Sequence, residues 1–166
     1  MVCQNTACVS ETKPENIIMT SFMAGLNEFR ILNQSLVNLA GKHSGHSLAI
    51  YVEELETDEL FNYDDPVIQF EKIIDKLTSL LSVSIKIEHR DNELEIVIDR
   101  KTCHICPHKF INQELKGTLC LFPSIIEEFV NYFWNYSIVL SREYNFPYLK
   151  SNEDMCIIRY KIYAHH

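Results

Sequence analysis

Apolar residues recur at helical spacing along the first half of the chain. The first set predicts an amphipathic helix that begins near residue 14 and ends at Gly41, because its members lie three or four positions apart: Phe22, Leu26, Phe29, Leu32, Leu36 and Leu39. A second helix is predicted over residues 47–61, where acidic side chains would face water.

The segment from residue 65 to residue 81 has the clearest helical pattern. Asp65 is suited to the N-cap and Pro66 to the first turn, and an apolar stripe follows from Val67 to Leu81. The period then changes to two in SVSIKIEH and ELEIVIDR. That alternation around a polar centre predicts a β-hairpin.

The last third of the chain predicts one more helix and two strands. Ser124 and Glu127 have the spacing of a capping box at the start of an amphipathic helix. Strands are expected near residues 136–143 and 155–163. This order of elements indicates an α+β domain, with the N-terminal helices packed on one face of a twisted antiparallel sheet of about four strands.

Length and composition fit one globular domain. The chain has 166 residues, of which 46% are hydrophobic and 23% charged, with only four glycines and five prolines, so we expect no internal domain boundary. Residues 1–13, which include Cys3 and Cys8, are polar and aperiodic. We interpret them as a tail before a single domain over residues 14–166.

The net charge of −8 provides no basic surface for nucleic acid or anionic lipid. No apolar run reaches the roughly 18 residues that a membrane span needs, and the N-terminus lacks a signal sequence. We therefore expect a cytoplasmic protein that binds neither nucleic acid nor a membrane. Thiols stay reduced in that compartment, so clustered cysteines indicate a metal site or redox chemistry before a disulfide framework.

Three of the six cysteines lie within CHICPHKFINQELKGTLC, residues 103–120. Cys103 and Cys106 form a C-x-x-C turn, in which two thiolates can bind one ion. Cys120 and Cys156 could complete a tetrahedral Cys₄ zinc site. Such an ion would tie this cysteine-rich loop to the last helix and to the final strand.

The same residues allow other interpretations. Four thiolates could hold an iron–sulfur cluster instead of zinc, or the cysteines could be unconnected buried residues. Cys103 and Cys106 alone could form a redox-active dithiol. His104 and His108 are rival ligands, either of which could replace one cysteine.

Residues 103–163 resemble the 4-vinyl reductase domain family, whose members are also described as hydrocarbon-binding domains. The resemblance is carried by Lys116–Cys120, by Phe122-Pro123 at the start of the last helix and by Met155–Ile158 on the last strand. Cys103–Pro107 is similar to the C-x-x-C-P of small stand-alone archaeal and bacterial members. The preceding helices and hairpin agree with the family in order, which extends the resemblance to about residues 16–163.

This resemblance implies a fold shared with a subunit of the TRAPP vesicle-tethering complex and with phenol-responsive sensor domains. It also implies an apolar pocket between helices and sheet, with a cysteine-rich zinc site beside it. Cys120 and Cys156 match the recurrent cysteines of the family. In the phenol sensors, a glutamate and a further cysteine just before the last strand complete the zinc site. This chain has Ser151–Asp154 in that region, without a cysteine, so Cys103 and Cys106 would have to take the place of those two ligands.

Two functional hypotheses follow. In the first, the domain senses a small hydrophobic or aromatic ligand in a pocket that the zinc site braces, and the candidate lining residues are Phe22, Leu26, Phe29, Phe122, Ile126, Phe129 and Phe133. In the second, Cys103 and Cys106 act as a redox switch or oxidoreductase. The vinyl-reducing activity of the family is not expected to carry over, because the chain has no nucleotide-binding glycine motif and no flavin signature. We favour no catalysis. The apolar helix faces would permit a homodimer or contact with another protein.

Overall fold

The structure is a computed structural model that describes residues 25–26, 33–55, 63–90, 93–103, 120–141, 149–151 and 154–164. The predicted polar tail lies outside these residues. Within them, helices and strands follow one another in the order α1 Gln34–Leu55, α2 Pro66–Leu81, β1 Ile85–Arg90, β2 Glu93–Asp99, α3 Phe122–Phe133, β3 Tyr136–Leu140, β4 Leu149–Ser151 and β5 Met155–Ala164. The predicted α+β class is confirmed.

The strands form one antiparallel sheet in the order β1-β2-β5-β3. The short strand β4 pairs with residues 156–158 of β5. It lies on the same side of β5 as β3, which pairs with residues 160–164. The antiparallel sheet of about four strands is therefore confirmed, and β4 is an addition that the sequence pattern did not predict. Its three residues are too few to show an alternation of apolar and polar positions.

The predicted hairpin is confirmed as β1 and β2. Ile85 pairs with Ile98 and Ile87 with Ile96, which puts these apolar side chains on one face of the sheet. Ile96 also pairs with Ile158 of β5, and both are buried in the core. On the opposite face, Arg159 Nε donates to Glu95 Oε1 at 2.7 Å in an ion pair.

Helix α2 begins and packs as its sequence predicts. Asp65 is the N-cap, and its side chain accepts a 2.8 Å hydrogen bond from the backbone N–H of Val67. The buried stripe includes Phe70, Ile73 and Leu77, which pack into the core formed with the apolar face of the sheet.

The predicted break at Gly41 is wrong, because α1 runs without interruption from Gln34 to Leu55. Its buried positions recur about every four residues: Val37, Gly41, Gly45, Ala49 and Val52. A Cβ atom on Gly41 would stand 2.8 Å from the Cβ of Ser124, and one on Gly45 would stand 2.6 Å from the carbonyl oxygen of Ile125; both contacts are with α3. Gly41 therefore serves close packing between two helices and does not end one.

The predicted capping box at the start of α3 is also wrong. The helix begins at Phe122, the N-cap is Leu121, and no side chain caps it. Ser124 and Glu127 consequently lie inside the helix and are buried. The helix lies against β5 and β3, where Tyr160 Oη donates a 2.8 Å hydrogen bond to the carbonyl oxygen of Pro123.

Candidate metal site at one end of the sheet

The turn after β2 directs Cys103 into the protein. The backbone N–H groups of Thr102 and Cys103 donate to the carbonyl oxygen of Asp99 at 3.1 and 3.2 Å, and the N–H of Lys101 donates to Asp99 Oδ1 at 2.8 Å. An aspartate that bonds the backbone two residues ahead stabilises a tight turn. Cys103 is consequently only 5% exposed and belongs to the hydrophobic core.

Hydrogen bonds fix this turn to the rest of the sheet. The N–H of Ser84 donates to Thr102 Oγ1 at 2.9 Å, and the N–H of Arg100 donates to the carbonyl oxygen of Asp154 at 2.9 Å. On the surface, Lys101 Nζ lies 3.1 Å from Asp154 Oδ1. That hydrogen bond and the charge of Asp154 raise the pKa of Lys101. The turn that carries Cys103 is thus held against the start of β5.

Cys156 is the second residue of β5 and lies at this same end of the sheet. It pairs with Ile98 of β2 on one side and with Ser151 of β4 on the other. Because Ile98 is buried on the helix-facing side of the sheet, Cys156 is on that side as well. Its side chain is half-buried and packs against the core.

Cys120 comes two positions before α3 and is also half-buried against the core. The direction of α3 follows from its contacts. Its first turn bonds Tyr160 of β5, and its later residue Asn131 bonds Ile138 of β3, which pairs with Ile162. The helix therefore runs parallel to β5, so that its N-terminus points toward the end of the sheet at which Cys156 lies.

These placements bring three of the four predicted ligands to one end of the domain. Cys106 lies outside the described residues, as do the rival ligands His104 and His108. Among the residues that the structure describes, no group of three or more histidine, cysteine, aspartate or glutamate side chains could hold a metal ion. Cys103, Cys120 and Cys156 are all described, so they do not form such a group with one another, and the Cys₄ zinc or iron–sulfur centre stays a prediction.

The predicted ligand-lining residues on α3 lie in the core. Phe122, Ile126 and Phe129 have no exposed surface. Phe133 is half-buried, and its ring meets that of Phe129 edge-on with the centroids 5.2 Å apart. On the N-terminal side, Leu26 is helical and half-buried, whereas two candidates are outside the described residues: Phe22 and Phe29.

A cleft of about 310 Å³ opens elsewhere, at the start of α2. Its lining is mostly polar and includes Asp64, Gln69 and Asn135. None of the predicted ligand-lining residues that the structure describes contributes to it. The cleft does not match the apolar pocket that the sequence led us to expect.

Two polar residues of α3, Glu127 and Asn131, cap the edge of β3 in a way that the sequence pattern did not predict. Asn131 Oδ1 accepts from the N–H of Ile138 at 2.7 Å, and Asn131 Nδ2 donates to the carbonyl oxygen of Ile138 at 2.9 Å. Glu127 Oε2 accepts from the N–H of Leu140 at 3.0 Å. We call these two side chains the β3 edge cap.

Glu127 also connects α3 to α1. Its Oε1 atom lies 3.2 Å from Lys42 Nζ, although the residue itself is only 7% exposed. A buried carboxylate requires a cation and hydrogen-bond donors to offset its loss of hydration, and Lys42 and the N–H of Leu140 provide both. The sequence signal was a glutamate within the otherwise apolar start of the α3 helix.

The described part of the chain contains no helix that is both long enough and apolar enough to cross a membrane.

Comparison with known proteins identifies a different family from the one that the short motifs suggested. A sequence model of the MJ0207 family matches residues 30–162. Uncharacterized protein MJ0207 of Methanocaldococcus jannaschii is 29% identical to this chain over 105 residues, which are 63% of this chain and 63% of the relative. The match thus spans less than two thirds of that relative.

The resemblance to the 4-vinyl reductase family is therefore wrong, because the family match covers the very segment on which the resemblance rested. The likeness to the TRAPP subunit and to the phenol sensors, which was only implied by it, loses its basis. The physical reason is that the motifs behind the resemblance are very short. They are G-T-x-C at residues 117–120 and C-x-x-C-P at residues 103–107. Glycine turns and cysteine pairs of this kind arise in many folds that share no further similarity.

Proposed function

This chain belongs to the MJ0207 family, and on that premise we propose that it is a binding domain that holds one structural zinc ion on Cys103, Cys106, Cys120 and Cys156. Two placements support the proposal. The pairing of Asp99 with Met155 puts the turn that carries Cys103 at the same end of the sheet as Cys156 on β5, and Cys120 precedes α3, whose N-terminus points toward that end.

The burial of Cys103 favours a structural metal over a redox switch. A thiol that reacts with oxidants must be accessible and must have a nearby cation that stabilises its thiolate. Cys103 is 5% exposed, and its turn is bonded to Asp99 and Asp154. A zinc ion would itself stabilise buried thiolates, and its binding would release their protons.

Zinc would order this end of the domain without building the whole fold. The core between α2, α3 and the sheet is already extensive, in contrast to small zinc fingers, which unfold without metal. Binding would draw the Cys103 turn and Cys120 toward Cys156, so that the loop between residues 103 and 120 is fixed at both ends. Bound metal would then stabilise the folded state by an amount that grows with the logarithm of the ratio of free metal to Kd, about 4 kcal/mol at a thousandfold excess over Kd.

The ligand-sensing part of the hypothesis is a weaker proposal. Phe122, Ile126 and Phe129 have no exposed surface, so a hydrophobic ligand could reach them only if core contacts opened. A ligand site would have to use the half-buried candidates Leu26 and Phe133. The zinc proposal does not depend on this site.

Metal analysis of the full chain, purified without added metal, tests the proposal. We expect about one zinc per chain, loss of that zinc in Cys120→Ser and Cys156→Ser, and a lower melting temperature after chelation. Cys8→Ser is the matched control, because Cys8 lies in the N-terminal polar segment, and it should retain the zinc.

Three outcomes would overturn the zinc proposal. Protein with no stoichiometric metal would remove its basis. Iron with sulfide and visible absorption would establish the iron–sulfur alternative. A Cys103–Cys106 disulfide that forms reversibly in metal-free protein would favour the redox switch.

A further inference from the structure

The two edge strands of the sheet, β3 and β1, differ in whether described side chains bond their outward-facing backbone groups. On β3, the N–H of Ser141 donates to the carbonyl oxygen of Arg159 on β5 at 2.9 Å. The backbone groups of Ile138 and Leu140, at alternate positions, therefore point away from β5. The β3 edge cap bonds both residues. Side chains thus occupy the place that a neighbouring strand would fill.

The opposite edge, β1, has no such cover among the described residues. The N–H of Asp99 donates to the carbonyl oxygen of Ser84 at 3.1 Å, so that the backbone groups of Ser84, Lys86 and Glu88 face β2. Alternate residues face the other way, and these are Ile85, Ile87 and His89. Beyond them the described part of the chain contains neither a further strand nor a capping side chain. Exposed edges of this kind readily pair with another strand.

We propose that β1 pairs with β1 of a second copy of this chain, in antiparallel orientation, to form one continuous sheet. Backbone geometry limits how the two strands can align. The outward-facing residues 85, 87 and 89 of one copy must pair with those of the other. If at least two of these three residues in each copy are to pair, the two-fold axis must pass through Ile87, through Lys86 or through Glu88.

Charge selects one of these three alignments. An axis through Lys86 would place two lysines opposite each other, and an axis through Glu88 would do the same with two glutamates. Like charges directly opposite each other destabilise a strand pair, whereas opposite charges stabilise it. With the axis through Ile87, Lys86 of each copy lies opposite Glu88 of the other. Both side chains are exposed.

The same alignment covers apolar surface. Ile85 and Ile87 lie on the helix-facing side of the sheet and are only half-buried. Pairing would set Ile87 against Ile87 of the second copy, and Ile85 against His89. Each facing pair would exchange two backbone hydrogen bonds. Backbone bonding, charge and apolar contact therefore agree on a single register.

A charge-reversal cycle tests this interface by sedimentation velocity over a range of protein concentrations. Wild-type protein should reach twice the 19.4 kDa mass of one chain. Lys86→Glu and Glu88→Lys should each raise the dissociation constant about tenfold or more, since each reversal sets like charges opposite each other at two positions. The double variant Lys86→Glu/Glu88→Lys should restore association.

Two controls keep the result specific to β1. Glu54→Lys changes net charge by the same amount as Glu88→Lys at an exposed position on α1 and should leave the dissociation constant unchanged. Circular dichroism should show that every variant is folded. A wild-type chain that stays monomeric at all concentrations would overturn the proposal, and so would a dimer that neither reversal weakens.

Discussion

Replacing Gly45 by alanine tests the closest contact between α1 and α3. The added Cβ would stand 2.6 Å from the carbonyl oxygen of Ile125, 3.0 Å from the Cβ of Glu128 and 3.2 Å from the Cα of Ile125. Two of these three atoms belong to the backbone of α3. Backbone cannot rotate away as a side chain does, so the two helices would have to move apart.

The expected cost follows from two opposing contributions. Alanine is favoured over glycine inside a helix by about 1 kcal/mol. Forcing an extra methyl group into a packed interface costs roughly 1–3 kcal/mol, and contact with backbone puts Gly45 at the upper end. We therefore expect Gly45→Ala to lower the free energy of unfolding by about 2 kcal/mol. For a chain of this size that corresponds to a fall in Tm of about 4–8 °C.

Gly25 provides a matched control within the same chain. It is helical, and a Cβ at this position would meet no atom of the described residues within 4 Å. Gly25→Ala should therefore stabilise the protein by up to about 1 kcal/mol. The two substitutions are chemically identical, so only their surroundings can give them opposite signs.

Urea unfolding followed by circular dichroism measures both variants under one set of conditions. The Gly41→Ala/Gly45→Ala double variant extends the test, because a Cβ on Gly41 would stand 2.7 Å from the carbonyl oxygen of Leu121. A single separation of the helices relieves both clashes, so the double variant should lose less than the sum of the two single losses. A Gly45→Ala protein as stable as wild type would refute this account of the interface.

Two further predictions concern polar side chains. Asn131→Ala removes both hydrogen bonds to Ile138, and we expect urea unfolding to show a loss of roughly 2 kcal/mol; a loss below about 0.5 kcal/mol would mean that water replaces the cap. The hydrogen bond that Tyr132 donates to Glu53 is the main reason why the pKa of Tyr132 is raised above its ordinary value of 10.0. Its contribution to stability is therefore complete below the pKa of an unfolded tyrosine and is lost as pH rises through the raised value. The ionisation of Tyr132 can be isolated by ultraviolet titration, as the difference between a protein and its Tyr132→Phe variant. Glu53→Gln should shift this ionisation to lower pH, and an unchanged ionisation would contradict the assignment.

The elements that the sequence predicted correctly are those whose signals are local. The β1–β2 hairpin alternates apolar and polar residues across adjacent segments, and its partners lie a few positions apart. For α2, Asp65 and Pro66 mark the start directly. In both elements, the residues that produce the sequence pattern are the same residues that make the stabilising contacts.

The elements that were predicted wrongly depend on a partner elsewhere in the chain. A glycine in a helical pattern indicates either an end or a close approach, and only the position of α3 decides this for Gly41. The spacing of Gly41, Gly45 and Ala49 by four was the available signal for close packing. For α3, Pro123 already marked the first turn, which excludes Ser124 as the N-cap.

The candidate metal site likewise has one feature that the sequence could predict and one that depends on contacts between distant segments. The spacing of the cysteines indicated which residues could share a metal, but not that β2 and β5 would bring Cys103 and Cys156 to one end of the sheet. That juxtaposition depends on the pairing of Asp99 with Met155, which is a long-range register. The apolar periodicity of α3 likewise could not distinguish a pocket from a filled core.

The β3 edge cap has a consequence for the size of any assembly. A sheet with two open edges can add copies at both and grow into a fibre, whereas a sheet with one sealed edge cannot. Asn131 and Glu127 already bond the backbone that a further strand would need. The association proposed through β1 would therefore favour two copies over a fibre, because the N–H and C=O groups of Ile138 and the N–H group of Leu140 are already bonded within the chain.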